Sequence, residues 1–158
     1  MPDETIAIGV EPANSPDGEW CLAQYYSELA KRFDEGFDPN LKNKFDPAEM
    51  EPPNGWFVVG RIGEKPVACG AVMKLDGSAS ICEVKRVWVS SNARGSGLGS
   101  KIMDKLETLA KEAGFTRVKL DTNRALGEAK GLYEKLGYAE TYRYNDNPYA
   151  DHFFEKAL

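Results

Sequence analysis

The sequence has few of the features that mark membrane, secreted or zinc-binding proteins. Its 158 residues contain no apolar run near the roughly 18 residues that a membrane-spanning helix needs. The first four residues, Met-Pro-Asp-Glu, lack the basic and apolar regions of a secretory signal peptide. Cys21, Cys69 and Cys82 are scattered and odd in number, so they predict neither a disulfide framework nor a zinc site. From these absences we expect a cytoplasmic protein.

A strong charge of either sign is also missing. The 20 basic and 25 acidic residues leave a net charge of −5, which gives no general attraction to nucleic acid or to an anionic membrane. Histidine occurs once, at His152, and a lone histidine is more often structural or exposed than catalytic. The hydrophobic fraction of 42% and the length predict one globular domain over residues 1–158.

The spacing of apolar residues predicts an alternation of strands and helices. The predicted elements, in chain order, are a strand over 5–10, a helix from Ser15 to Gly36, strands over 56–62, 67–75 and 81–89, a helix over 98–113, a strand over 117–122, a helix over 129–136, and a terminal hairpin of 138–144 with 149–156, joined by a turn over 145–148. Residues 38–54 are rich in Pro, Asn, Lys and Asp, which predicts a mobile loop with one short helical turn near Pro47–Met50. This order predicts an α/β layered domain with a mixed sheet.

Three glycines alternate in the segment Arg94-Gly95-Ser96-Gly97-Leu98-Gly99, between a predicted strand and an amphipathic helix. Alternate glycines let backbone N–H groups converge on one ligand without interference from Cβ atoms. The start of the helix adds unpaired N–H groups and the positive end of its dipole. With the charge of Arg94, this segment predicts a site for phosphate or pyrophosphate.

Two common phosphate-binding loops do not match this segment. A Walker loop needs Gly-x4-Gly-Lys-Ser/Thr, which the sequence lacks. The dinucleotide fingerprint needs Gly-x-Gly-x-x-Gly in a first βαβ unit, but Ser100 stands at the last glycine and the segment follows a meander. A plain turn without a ligand is the remaining alternative, and such a turn rarely needs three glycines and an arginine.

Two segments resemble the GCN5-related N-acetyltransferase (GNAT) family. Residues 94–99 match the family signature Arg/Gln-x-x-Gly-x-Gly/Ala at a helix start, and residues 131–138, Gly-Leu-Tyr-Glu-Lys-Leu-Gly-Tyr, resemble the late LYEKxGF segment. The resemblance implies a three-layer α/β (α+β) fold with a mixed, mostly antiparallel sheet of six to seven strands and about four helices. It also implies acetyl transfer from acetyl-CoA to an amine by direct attack, without a metal.

The resemblance carries over a set of cofactor-binding residues. The amides of residues 95–100 would hold the pyrophosphate with Arg94 nearby, and the strand before the loop would pair with the pantetheine arm. The implied set is Val87, Trp88, Val89, Arg94, Gly95, Ser96, Gly97, Leu98, Gly99, Ser100 and Asn123. Many members have an asparagine where this chain has Leu126, so the contact that Asn123 makes is left open.

Tyr133 matches the tyrosine that serves as general acid in many relatives, so its hydroxyl would protonate the leaving sulfur. Its helical spacing with Leu132 and Leu136 equally fits a core tyrosine. The two alternatives stay open at the level of the sequence.

Glu83 matches the catalytic glutamate of the histone-acetylating members and is the candidate base. Partial burial would raise its pKa, although Lys85 and Arg86 would pair with it, and relatives often use a water chain instead. Strand alternation places Glu83, Lys85, Val87 and Val89 on one face. Cys82 then faces the other way, as a core thiol.

The sequence leaves open whether the acceptor is a small-molecule amine or a lysine or N-terminus of a protein. A non-catalytic acyl-CoA-binding domain is the alternative to an enzyme. The acceptor pocket is expected between the first helix, residues 38–54 and the terminal hairpin. His152 lies in that hairpin and would border the pocket. The aromatic residues that would line this pocket or the core are Phe33, Phe37, Tyr142, Tyr144 and Phe153. A homodimer is also left open.

Overall fold

The computed structural model describes residues 5–33, 36–38, 47–75 and 78–158, which form a seven-stranded sheet with helices on both faces. The elements are β1 (Ile6–Val10), α1 (Pro16–Arg32), a 3-10 helix (Pro47–Met50), β2 (Gly55–Ile62), β3 (Lys65–Lys74), β4 (Ile81–Val89), a second 3-10 helix (Ser91–Ala93), α2 (Leu98–Glu112), β5 (Arg117–Thr122), α3 (Gly127–Lys135), β6 (Ala139–Glu140) and β7 (His152–Ala157). The described residues thus form three α-helices and two 3-10 helices, where the resemblance implied about four helices.

The strand order in the sheet is β1-β2-β3-β4-β5-β7-β6. The β4–β5 pair is parallel, and every other neighbouring pair is antiparallel. The parallel pair follows from α2, which crosses over between β4 and β5. A mixed, mostly antiparallel sheet was predicted and is confirmed.

Helix α1 begins where its sequence predicts. The Ser15 hydroxyl accepts a hydrogen bond of 3.0 Å from the Gly18 amide, and Pro16 occupies the first turn. The helix ends at Arg32, earlier than the predicted end near Gly36, where the Phe33 amide donates to the Leu29 carbonyl.

The core divides into two clusters on opposite faces of the sheet. On one face, residues of α1 and the first 3-10 helix pack with Phe57, Val59 and Trp88. On the other face, Ile102, Met103 and Leu106 of α2 pack with residues of the sheet and with Tyr133 of α3. This arrangement gives the three layers that the resemblance implied.

Strand β4 contains a bulge at Arg86 that the sequence analysis missed. Cys69 pairs with Trp88 and Ala71 with Lys85, so β4 has one residue more than β3 over this stretch. Arg86 has a φ of 59°, in the left-handed region. The predicted alternation is therefore wrong beyond Lys85.

Because of the bulge, Val87 and Val89 pack on the α2 side, the side that Cys82 also faces, rather than on the side of Glu83. Cys82 is fully buried there, as predicted, and burial raises its pKa to about 12. The face of β4 that carries Glu83 and Lys85 is turned toward α1 and the C-terminal loop.

The predicted terminal hairpin is much shorter than expected. Only Ala139 and Glu140 pair with β7, and residues 141–151 leave the sheet. The Asn145 and Asn147 side chains accept hydrogen bonds of 3.0 Å from amides two residues on, which forms turns where the sequence predicts a turn. The residues on either side of that turn, 141–144 and 149–151, are the ones that do not form the predicted strands. Arg143 fastens this loop by donating to the Asn147 and Ala150 carbonyls.

The predicted mobile loop over 38–54 falls partly on residues 39–46, which lie outside the described residues. The short helical turn at Pro47–Met50 is confirmed as a 3-10 helix.

Strands β4 and β5 separate along their length. They pair only from Ile81–Arg117 to Glu83–Lys119, although β5 continues to pair with β7 as far as Thr122. Beyond Glu83 the two strands leave a gap at their carboxyl ends. The candidate site lies in this gap.

Candidate active site

The glycine segment forms an open cradle at the start of α2. Gly95 and Gly97 have φ values of 85° and 79°, in the left-handed region that favours glycine, and Gly97 is the N-cap of α2. A Cβ atom at either position would meet nothing within 4 Å, so the space beside the loop is open. Ser96 holds the loop in shape, since its hydroxyl donates to the Ala93 carbonyl at 2.5 Å.

Gly99 has a different role, because it lets α2 and α3 approach each other. A Cβ atom there would lie 3.1 Å from Cδ2 of Leu132. The first turn of α2 reads Leu98-Gly99-Ser100-Lys101, so its sequence adds no negative charge to the helix start. The cradle therefore has the form and the charge of an anion site.

Arg94 does not point freely into solvent. Its guanidinium pairs with the Glu28 carboxylate of α1 at 2.5 Å. Arg32, one turn further along α1, pairs with Glu128 of α3 and donates to the Ala125 carbonyl at 2.8 Å. These pairs connect the cradle, α1 and α3 around one opening.

This opening leads into a larger cavity of 490 Å³. It is lined by every predicted cofactor-binding residue except Ser96 and Asn123. The Trp88 side chain itself packs on the α1 side of the sheet, with its ring 5.9 Å from that of Trp20.

Asn123 lies at a smaller neighbouring cavity, and its side chain is used within the protein. The Nδ2 atom donates to the Tyr149 carbonyl at 2.7 Å, and Oδ1 accepts from the Ala125 amide at 2.8 Å. Asn123 thus ties the loop after β5 to the C-terminal loop.

The smaller cavity, of 120 Å³, has a wall of aromatic rings. The five rings are those of Tyr25, Tyr26, Phe33, Phe37 and Tyr149, with successive centroids 4.8 to 5.8 Å apart. Sequence analysis named Phe33 and Phe37 but missed the three tyrosines. Tyr25 and Tyr26 lie on the apolar stripe of α1, which by itself indicates only a core-facing helix.

The other aromatic residues named from the sequence do not line this cavity. Tyr142 is 71% exposed. The Tyr144 ring packs against Phe153, with centroids 5.4 Å apart. They lie elsewhere because the loop over 141–151 does not follow the expected strand.

The lining of the smaller cavity also includes four charged side chains, those of Asp38, Lys85, Arg86 and Asp121. Arg86 donates from Nε to the Tyr26 hydroxyl at 3.0 Å. Asp121 accepts from Nδ2 of Asn145 at 2.7 Å and from Nδ2 of Asn147 at 3.3 Å. The sequence does not predict a role for Asp121, because a charged residue near the end of a strand carries no signal of its own.

Tyr133 lies where the two cavities adjoin, since it lines both of them. The residue is 6% exposed, and its ring packs near those of Tyr138 and Phe154. Burial, helped by the charge of Asp121, raises the pKa of Tyr133, so its hydroxyl stays protonated at neutral pH. Within the described residues this hydroxyl forms no hydrogen bond, and it can donate one to a ligand.

Glu83 is buried behind the smaller cavity and does not line either cavity. Its carboxylate accepts from the Tyr144 hydroxyl at 2.7 Å and from Nδ2 of Asn145 at 3.2 Å, with Nζ of Lys85 at 3.7 Å. Burial raises the pKa of Glu83, although these three partners act in the opposite direction. Asn145 bridges Glu83 and Asp121.

His152 also lies outside both cavities. It pairs with Thr122 between β7 and β5, and its ring centroid is 6.5 Å from that of Phe154. Within residues 5–33, 36–38, 47–75 and 78–158, no group of three His, Cys, Asp or Glu side chains is arranged to hold a metal ion. The same residues include no helix that is long and apolar enough to cross a membrane.

Residues 22–138 match the family model of the Acetyltransferase (GNAT) family. This chain belongs to the GNAT family. It is 35% identical over 121 residues to the uncharacterised N-acetyltransferase YjgM of Escherichia coli, with 74% of this chain and 71% of that protein covered. It is 29% identical over 140 residues to the IAA acetyltransferase of Azospirillum brasilense, with 89% and 87% covered.

Solved structures of GNAT proteins share the fold. The acetyltransferase of Staphylococcus aureus superposes with a TM-score of 0.80 at 19% identity, over 98% of this chain and 99% of that chain. The acetyltransferase of Streptococcus agalactiae gives 0.77 at 21% identity, over 97% and 98%. Together with the family match, these findings confirm the predicted fold, family and acyltransferase class.

The GNAT family generally uses acetyl-CoA, and the residues present here fit that cosubstrate. Positions 95 and 97 leave open space that side chains would fill, and the start of α2 offers its amides to a pyrophosphate. The larger cavity runs from this cradle along Val87 and Val89 to Tyr133.

Proposed function

We propose that this GNAT acyltransferase moves an acetyl group from acetyl-CoA to a primary amine of a small molecule by direct attack. The observation that carries the proposal is the pair of adjoining cavities with the Tyr133 hydroxyl between them. The larger cavity contains the anion cradle, and the smaller cavity has an aromatic wall and charged groups. A donor and an acceptor would therefore meet at Tyr133.

On the donor side, the chain supplies mainly backbone groups. The amides of residues 97–100 hold the pyrophosphate, and Arg94 joins them once it is released from Glu28. The backbone of residues 87–89 pairs with the pantetheine arm as an added strand would. Acetyl-CoA supplies the acetyl group as a thioester.

Two side chains are proposed to handle protons. The acceptor enters as an ammonium ion and leaves as an amide, so its nitrogen loses two protons, while the sulfur gains one. Tyr133 donates the proton that the sulfur gains and is protonated again afterwards. Glu83 takes a proton from the amine through water, because its carboxylate lies behind Asn145, and one proton is released to solvent overall.

The size of the smaller cavity favours a small acceptor over a protein chain. Its volume is 120 Å³, and the Phe37 and Tyr149 rings lie 4.8 Å apart in its wall. A small amine could enter this space whole, whereas the backbone that flanks a lysine within a protein would have to stay outside it. Since the three cysteines are buried as free thiols, we place the reaction in a reducing compartment such as the cytoplasm.

The test is a panel of acceptors scored by the release of free CoA from acetyl-CoA. The panel contains small primary amines, lysine-containing peptides, peptides with free N-termini, and the matching alcohols as controls. We expect release with at least one class of small amine and a much slower reaction with the peptides. A faster reaction with the peptides would contradict the small-molecule assignment, and no release with any amine would contradict the activity.

A further inference from the structure

We infer that Asp121 holds the ammonium group of the acceptor, and that the acceptor is a primary amine on a small apolar or aromatic body. The inference rests on the proposed function and adds a recognition residue and a substrate class to it. Neither the family signature nor the sequence pattern points to Asp121.

The carboxylate of Asp121 is oriented but not neutralised. Two neutral amides donate to it, from Asn145 to Oδ2 at 2.7 Å and from Asn147 to Oδ1 at 3.3 Å. Within the described part of the chain, Asp121 forms no ion pair. Its negative charge at the wall of the smaller cavity is therefore available to a cation.

The cationic side chains of the same cavity already have partners. Lys85 lies 3.7 Å from the Glu83 carboxylate, and Arg86 donates to the Tyr26 hydroxyl. Asp38 contributes a second carboxylate to the lining, and its backbone amide donates to the Tyr149 hydroxyl at 2.8 Å. Asp121, whose two oxygens are oriented by Asn145 and Asn147, is the carboxylate that we assign to the acceptor.

The ring wall suits the rest of such a ligand. Tyr25, Tyr26, Phe33, Phe37 and Tyr149 present aromatic faces and edges around the cavity. Aromatic rings bury an apolar body, and they also favour a nearby cation through cation–π attraction. A polar group of the acceptor that faced these rings, and not the charged side chains of the lining, would lack a hydrogen-bond partner.

Asp121 lies close enough to the proposed reaction centre to position a nitrogen there. Burial is the main cause of the raised pKa of Tyr133 and of Glu83, and the negative charge of Asp121 raises both further. Asp121 and Tyr133 line the same cavity, and Asn145 bridges the carboxylates of Asp121 and Glu83. An amine held at Asp121 therefore shares that cavity with the proposed acid, with the proposed base behind it. Binding as the ammonium and reacting as the neutral amine are successive steps, and the proton leaves between them.

The test compares 2-phenylethylamine with 2-phenylethanol, its neutral counterpart, by calorimetric titration of the CoA-bound enzyme. The wild type is expected to bind the amine about 10- to 100-fold more tightly than the alcohol, which is the range for a hydrogen bond to a charged group. Asp121→Asn is expected to remove most of that preference while leaving the Kd of CoA unchanged.

Asp146→Asn is the matched control, because it makes the same change at an exposed acid one residue from Asn145 and Asn147. It should keep the full preference for the amine. Equal binding of amine and alcohol by the wild type, or an intact preference in Asp121→Asn, would overturn the inference. If Asp121→Asn does not fold, Asp121→Ser takes its place in the same comparison, and equal binding of the two ligands by the wild type overturns the inference in either case.

The same titration separates this inference from the proposed function, since it requires no turnover. A wild type that binds the amine through Asp121 but releases no free CoA would contradict only the proposed function. With active enzyme, Asp121→Asn should raise the KM for the amine about 10- to 100-fold with a smaller change in kcat. A loss of kcat alone would contradict the assignment of Asp121 to binding.

Discussion

Tyr133 belongs both to the core and to the site. Its ring packs with Tyr138 and Phe154 on the α2 side of the sheet, and the residue also lines both cavities. The two interpretations left open by the sequence are therefore compatible. A buried, protonated phenol held rigidly by its neighbours is suited to donate a proton in one direction.

We expect Tyr133→Phe to lower kcat by about 100-fold or more, because the leaving sulfur loses its proton donor. The Kd of acetyl-CoA should stay the same, since the ring remains in place. Tyr138→Phe is the control: that hydroxyl bonds to Glu107 at 2.8 Å, away from both cavities. Steady-state kinetics and calorimetry check the pair, and an undiminished kcat in Tyr133→Phe would remove the general-acid assignment.

Glu83 should give the reaction a pH dependence of a definite sign. A base works only when it is ionised, and burial raises the pKa of Glu83 above its usual range. The ratio of kcat/KM between wild type and Glu83→Gln should therefore rise with pH through this raised pKa and then become constant. Because both enzymes are assayed with the same amine, the effect of the amine's own ionisation cancels in this ratio. A ratio that does not change with pH would show that Glu83 is not the base.

At the scale of elements, the cradle is a local device. Gly95 and Gly97 need left-handed backbone, and α2 starts directly after them. Their roles follow from neighbours in the sequence, so the sequence predicts them. Gly99 is required by Leu132, on another helix, and that reason becomes visible only in the folded chain.

We expect Gly97→Ala to raise the Kd of acetyl-CoA at least tenfold. The added Cβ projects into the open space of the cradle, and a left-handed alanine costs about 1–2 kcal/mol. Gly131→Ala is the matched control, because it lies within α3 with nothing within 4 Å of the added Cβ. That control should bind normally and gain about 0.5–1 kcal/mol of stability. Calorimetry and denaturant unfolding measure both quantities, and equal Kd values would remove the loop from the site.

Elements that depend on distant partners were predicted less well. The bulge at Arg86 arises from the pairing of β4 with β3, and it reverses the faces of Val87 and Val89. The strands of the terminal hairpin were predicted too long, because Tyr144 and Asn145 donate to Glu83 of β4 and do not pair with β7. Alternation along one strand contains neither kind of information.

At the scale of the whole molecule, the site exists because the sheet opens between β4 and β5. Helices α1 and α3 lie at the two sides of this gap, and Arg32 of α1 connects to Glu128 and to the Ala125 carbonyl. Glu28, also on α1, binds Arg94 of the cradle. A pyrophosphate in the cradle would compete with Glu28 for Arg94, so we expect donor binding to be coupled to the position of α1.

The two halves of the site therefore differ in how far a sequence predicts them. The pyrophosphate cradle of the proposed donor half is one continuous segment with a family signature, residues 94–99. The acceptor half combines Tyr25 and Tyr26 of α1 with Asp121 of β5 and Tyr149 of the C-terminal loop. These residues are more than a hundred positions apart at the extremes, and only the fold brings them together.

The structure of the complex with CoA tests the central claim most directly. We expect the pyrophosphate on the amides of residues 97–100, the pantetheine along residues 87–89, and the sulfur within about 3.5 Å of the Tyr133 hydroxyl. The smaller cavity should remain open to an acceptor on the other side of Tyr133. A sulfur far from Tyr133, or a pyrophosphate bound away from the cradle, would contradict the account.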